Sequence, residues 1–241
     1  GWKAMSRQLS ISAKELAKIE LKRAYEQIPK ISLIGEIYVR HDPLSRQGLV
    51  ERLAERGFIV RIAKLSEWMK YTDWLIKHNK EGHKGMGFWI SHMVKHYFDA
   101  AVRRKLAPCG LFYTNVPSVD EVIEHGEHFL SSWLSGEAIL TIGSAFHEMM
   151  HPACGIISIG PFGCMPSRVS EAILSEKFTS GQYMQISSNG DMMARQNLEK
   201  NRKLPFLAIE TDGNPFPQII EARLEAFSLQ AYRFHNSFLR K

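Results

Sequence analysis

Between Ile31 and Ile62 the chain runs through an apolar stretch, an amphipathic stretch and a second apolar stretch, an order that leaves few folds open. Ile31 to Val39, Ile-Ser-Leu-Ile-Gly-Glu-Ile-Tyr-Val, is nearly continuous in apolar residues, as a strand buried on both faces must be. After Asp42-Pro43, residues 45–56 bring Leu49, Val50 and Leu53 to one helical face, and Gly57 stands where a helix C-cap belongs. Phe58 to Ile62 reads as the second strand. A strand, helix and strand within about 32 residues predict a parallel pair joined by a right-handed crossover.

The rest of the chain extends this pattern and interrupts it once. Residues 1–28 read as an amphipathic helix stopped by Pro29, with Leu16, Ile19, Leu21, Ala24 and Ile28 at mixed three- and four-residue spacing. From about residue 65 to 134 the segments are helical and rich in aromatics, among them Trp68, Trp74, Trp89 and Tyr97. Ser118 followed by Glu121 has capping-box spacing for a helix to about Leu134. Alternation then returns: a helix over about Glu137–Met150, a strand over Gly155–Ile159, a helix to Phe178, a short strand at Tyr183–Ile186, a strand at Phe206–Glu210 and a helix at Ile219–Phe234. The expectation is an open parallel sheet in a three-layer α/β sandwich, one lobe over residues 29–241 with a helical insertion at about 65–134.

Composition narrows the function classes. Hydrophobic residues at 44% and charged residues at 23% are ordinary for a soluble globular protein. No apolar run reaches the roughly 20 residues that cross a bilayer. Lysine and arginine number 31 against 25 acids, a surplus of 6 that is scattered apart from clusters such as Arg103-Arg104-Lys105. Nucleic acid binding calls for a concentrated basic face with interleaved aromatics, which is not seen, although acidic partners such as CoA phosphates fit the surplus. Three cysteines without close pairing argue against a disulfide framework and for a reducing cytoplasm.

The chemistry-bearing residues gather near one turn. In Ile159-Gly-Pro-Phe-Gly-Cys-Met-Pro-Ser-Arg168 a β-branched strand ends in Gly-Pro and Gly, and Pro166 and Ser167 open an apolar-periodic helix. Cys164 thus falls at the carboxyl end of a strand beside a helix amino terminus, where exposed N–H groups favour the thiolate. A turn cysteine without chemistry fits the same pattern. Cys154 lies ten residues earlier, roughly 25 to 30 Å away along an extended segment, so the two thiols cannot share one small cluster.

A zinc-hydrolase alternative rests on His147-Glu148-Met-Met-His151, two histidines four apart with a glutamate to activate water. Pro152 directly after the second histidine and a buried strand soon afterwards argue against it. His92 and His96 repeat the spacing and read as solvent-facing. No phosphate-binding glycine loop and no G-x-S-x-G elbow occur. A non-catalytic interaction module, built on the aromatic stretch 65–134, is the third reading.

Three segments together resemble a known family: Ile34-Gly-Glu-Ile-Tyr-Val39, Gly160-Pro-Phe-Gly-Cys-Met-Pro166, and Leu204-Pro-Phe-Leu-Ala-Ile-Glu-Thr-Asp-Gly213 leading to Glu221-Ala-Arg-Leu-Glu-Ala-Phe227. In this order, over about Pro29 to Phe234, they look like the carboxyl-terminal lobe of the 2-hydroxyacyl-CoA dehydratase and benzoyl-CoA reductase superfamily, in the branch of CoA-substrate-specific enzyme activases. The resemblance implies flavodoxin-like lobes around a [4Fe-4S] or double-cubane cluster, fed with low-potential electrons by an ATP-hydrolysing activase module in anaerobic metabolism. It implies a cysteine ligand at the strand-end turn, which matches Cys164. The other ligands would come from an amino-terminal lobe or partner polypeptide, so the chain would be inactive alone, with an acyl-CoA as candidate substrate. Nothing matches the family's ligands at Cys109 or Cys154. Glu36 and Tyr38 after the first strand, and Ser167 beside the cysteine, are expected to line the same crevice; Asp212 and Arg223 are expected to anchor the last helix.

Overall fold

A computed structural model describes residues 1–78, 82–111, 118–134, 136–150, 153–186, 202–211 and 217–239. The chain divides into two compact units, one formed by Gly1–Gln27 and Ser66–Val119 and the other by Ile28–Leu65 and Asp120–Lys241.

The larger unit is built on four strands: β1 (Lys30–Gly35), β2 (Ile59–Ile62), β3 (Ala153–Pro161) and β4 (Phe206–Thr211). They form one parallel sheet in the order β2-β1-β3-β4. Every residue of β1 and the first eight of β3 are buried, whereas β2 is half-buried and β4 alternates, so the continuously apolar strands take the centre. In register, Ile34 pairs with Ser158 and Gly35 with Ile159, and Ile159 pairs in turn with Ile209.

Helices cover both faces, giving the three-layer, flavodoxin-like α/β sandwich expected from the sequence. The helices of this unit are α2 (Leu49–Glu55), α5 (Val119–Glu127), α6 (Glu137–Met150), α7 (Met165–Lys177), α8 (Ser180–Ile186) and α9 (Pro217–Leu239). Gly155 leaves room for the Phe227 ring of α9, and Gly160 leaves room for Ser167 of α7. Five residues apart on a strand means opposite faces, so α9 and α7 lie on different sides of the sheet. Arg52 and Arg56 of α2 both pair with Glu221 of α9, and the Tyr232 hydroxyl of α9 donates to the Arg56 carbonyl. The core between the layers is Ile31, Leu33, Leu53, Ile142, Phe146, Ile156, Ile157 and Leu224, each essentially closed to solvent.

Two sequence expectations are corrected here. Tyr183–Ile186 is no strand but the end of α8, with Ser180, Tyr183 and Ile186 buried at helical spacing. The amino-terminal helix α1 spans Trp2–Leu16 and stops well short of Pro29, and Leu16, Ile19 and Leu21 are exposed.

The smaller unit is helical, with α1, nearly all of α3 (Leu65–Lys77) and α4 (Met86–Leu106). Trp2 packs edge-on against Phe98, ring centres 4.7 Å apart, and joins α1 to α4. Asp99 receives Lys70 at 2.7 Å and Arg103 at 3.0 Å, and Asp73 receives Lys95 at 2.7 Å and His92 at 3.0 Å. His92 is therefore tied to α3 rather than merely solvent-facing, and His96 meets it edge-on with ring centres 4.3 Å apart.

Candidate functional site

The two central strands end side by side and send the chain in opposite directions, β1 toward β2 and β3 toward β4. A crevice beyond the carboxyl ends of such strands is where open α/β sheets place their ligands. The sequence-selected residues Glu36, Tyr38, Cys164 and Ser167 all lie in or beside the two turns that border it.

After β1, Gly35 adopts φ +105°, and any side chain there would meet the Ile159 backbone, with its nitrogen only 2.7 Å from a β-carbon. The absence of that atom lets the strand ends close up, and the Glu36 N–H donates to the Ile159 carbonyl at 2.8 Å. The Glu36 carboxylate accepts the Val39 N–H at 2.7 Å, which fixes the turn. Tyr38 projects outward with 68% of its surface exposed, and its carbonyl accepts the His41 and Asp42 N–H groups. Beneath them the buried Arg40 donates from Nη1 to the Gly35 carbonyl at 2.8 Å. His41 is held below the ordinary imidazole range by burial and by the Arg40 charge.

After β3, the Phe162 N–H donates to the Thr211 carbonyl at 2.9 Å and the Cys164 N–H to Pro161 at 3.2 Å, with Gly163 at φ +69° closing the turn. Cys164 is the N-cap residue of α7; its carbonyl accepts the Arg168 N–H at 2.9 Å, while its thiol makes no cap hydrogen bond. Cys164 is half-buried, and its neighbours along the chain Phe162 and Met165 are exposed. Ser167, in the first turn of α7, packs onto Gly160.

The other cysteines are placed differently. Cys154 sits at the opposite end of β3, where its Sγ donates to the Lys30 carbonyl at 3.2 Å. Burial pushes this thiol up to about 12, so it stays protonated and is a poor metal ligand. Cys109 is buried in a short helical turn of the smaller unit.

The zinc motif divides. His147 is buried in α6 with its ring stacked on His125 at 5.9 Å, while Glu148 is ion-paired with Arg61 of β2. A glutamate neutralised by a guanidinium is not poised to take a proton from water. His151 lies outside the described residues, and among those described no group of three or more metal-ligating side chains forms. Arg223 donates to the Ala208 carbonyl at 2.8 Å and so ties α9 to β4; Asp212 lies outside the described residues.

No protein-family model, curated protein or solved structure matches the chain. Among the described residues no helix is long and apolar enough to cross a membrane.

The helix expected over residues 45–56 begins only at Leu49, and residues 42–48 before it form turns. Asp42 accepts both the N–H and the hydroxyl of Ser45 at 2.7 Å, a local turn that Asp42-Pro43 announces. The closing off of the Arg46 Nε behind that turn has no local sequence signal.

Proposed function

We propose that this chain is the carboxyl-terminal lobe of an iron–sulfur protein related to 2-hydroxyacyl-CoA dehydratases and their activases, in which Cys164 supplies one thiolate to the cluster. The observation that supports it most is the position of Cys164: half-exposed, at the amino end of a 13-residue helix and in the turn that follows the central strand β3 at its carboxyl end. The cluster would be of the [4Fe-4S] or double-cubane type and would supply one-electron chemistry at low potential for ATP-driven electron transfer.

In this reading the amino-terminal lobe or activase domain, on the same or a partner polypeptide, provides the missing ligands. Glu36, Tyr38 and Ser167 border the cavity that lobe would close, with an acyl-CoA as the candidate substrate. The cellular setting is a reducing cytoplasm, in keeping with two buried free thiols at Cys109 and Cys154.

The test is anaerobic reconstitution of the full-length protein, or of this chain with its partner lobe, with iron and sulfide. Cys164→Ser is expected to lower bound iron and the visible absorption, and Cys154→Ser to leave both unchanged. Equal iron and equal spectra in wild type and Cys164→Ser overturn the assignment.

A second reading, an interaction role for the helical unit, draws on α4. Met86, Met93 and Tyr97 are each more than 60% exposed, and Ile90 between them is exposed as well. Apolar surface of this extent along one helix is the usual mark of a partner-binding face.

A further inference from the structure

On the face of the sheet covered by α2 and α9, the segment 45–52 stands away from the ends of β3 and β4 and leaves a small cleft, open to solvent. Its floor is apolar, formed by Ile159 and Ile209, which are paired neighbours in the sheet. Arg46, Arg52, Ser45, Gln47 and Thr211 also line it, beside the apolar Leu49 and Ile220.

The two arginines differ in what they already hold. Arg52 shares Glu221 with Arg56, at 3.2 Å from the Glu221 carboxylate. Arg46 makes no ion pair with any described residue, and its Nε is closed to solvent without an acceptor. An arginine cannot shed its charge to escape that position, since it stays protonated at every physiological pH. A donor closed to solvent without an acceptor is costly, and the guanidinium that carries it forms no ion pair, which leaves its charge open to an anion in the cleft.

The position of Arg46 is held by backbone, not by side-chain contacts. Its N–H donates to the Asp42 carbonyl at 3.0 Å and its carbonyl accepts the Leu49 N–H at 2.9 Å, while one oxygen of the Asp42 carboxylate takes both Ser45 donors and the Arg46 charge helps to hold that carboxyl below its ordinary value. The next residue, Gln47, is the one described non-glycine residue with positive φ, at +48°. Such a conformation persists where the surroundings impose it, and here it turns the chain so that Ser45, Arg46 and Gln47 face the same cleft.

We propose that this cleft binds the phosphate group of a small-molecule ligand, with Arg46 as its principal anchor and Arg52, Ser45 and Gln47 as secondary contacts. Two guanidinium forks with amide and hydroxyl groups between them match a dianion that offers three or four oxygens better than a carboxylate that offers two. The apolar floor suits a ligand whose phosphate is joined to a less polar body. This inference is independent of Cys164, which lies on the other side of β3 at the start of α7.

Isothermal titration calorimetry with inorganic phosphate and with pyrophosphate, against sodium chloride and acetate at equal ionic strength, tests it directly. Wild type is expected to bind phosphate or pyrophosphate saturably and acetate more weakly. Arg46→Gln should weaken phosphate binding by at least about tenfold, with Arg46→Lys intermediate because it keeps the charge but loses the fork. Cys164→Ser should bind like wild type, which separates this site from the cluster reading. Should Arg46→Gln fail to fold, modification of wild-type protein with phenylglyoxal gives the answer: phosphate is expected to protect Arg46 selectively over the exposed Arg168. Absence of saturable binding, unchanged affinity in Arg46→Gln, or equal labelling of Arg46 with and without phosphate overturns the proposal.

Discussion

Replacing Gly160 by alanine probes the packing that sets Cys164 in place. A β-carbon at residue 160 would lie 2.8 Å from the Ser167 β-carbon and closer still to its hydroxyl oxygen. Rotation of the serine can move its oxygen, but its β-carbon is fixed by the α7 backbone, so the helix must be displaced by more than half an ångström to restore ordinary contact. Overpacking of this kind costs about 1–3 kcal/mol. For a unit of this size that is a fall of about 2–12 °C in melting temperature. Ser167→Gly alone should cost about 0.5–1 kcal/mol through helix propensity. Combined with Gly160→Ala it should remove the clash, so the pair should couple by at least about 1 kcal/mol in the favourable direction. Denaturant titration of the four proteins supplies the cycle. Gly35→Ala serves as the contrast, because its obstacle is the Ile159 backbone and its φ is +105°, so no side-chain trimming should rescue it. Strict additivity of Gly160→Ala and Ser167→Gly would refute the claim that α7 is seated on Gly160.

Other consequences are open to simple measurements. Burial by itself pushes the Asp73 carboxyl up, but hydrogen bonds and charge from Lys95 and His92 outweigh it and hold the group below its usual value. A depressed carboxylate adds stability that is present above the unfolded-state value and lost as pH falls through the lower folded one. Asp73→Asn should therefore destabilise the protein by about 1–3 kcal/mol at neutral pH, and the gap to wild type should close in acid below about pH 4. A constant gap across a pH series of denaturant titrations would contradict the ion-pair account. Iodoacetamide at pH 8 should alkylate Cys164 in the native protein, whereas Cys109 and Cys154 should react only after unfolding; peptide mass mapping reads the order.

Much of the larger unit is legible in the sequence, and the reason is burial on two faces. Ile31 to Gly35 and Ala153 to Ile159 have no polar side that an alternative element would use, so the central strands announce themselves. Helix α6 is read to the residue, because Gly136 precedes it and Pro152 follows it closely. Tyr183–Ile186 misleads because four residues are too few to tell a strand from a helix; the deciding residue, the buried Ser180, lies outside that window. Glu36 shows the limit for the site. Its place next to the crevice follows from the strand, but its carboxylate caps the Val39 N–H, a local use that sequence does not separate from ligand binding. The pairings of His92 with Asp73 and of Glu148 with Arg61 span 19 and 87 residues, and the Arg46 cleft is completed by strand ends more than a hundred residues away. Contacts of that range follow from the fold, not from spacing along the chain.

The account stands on the sulfur of residue 164, and its surroundings can be seen directly. With selenocysteine in place of Cys164 in the anaerobically reconstituted full-length protein, X-ray absorption at the selenium edge should show iron within bonding distance of the selenium. A selenium surrounded only by light atoms, in protein that holds its full complement of iron, would contradict it.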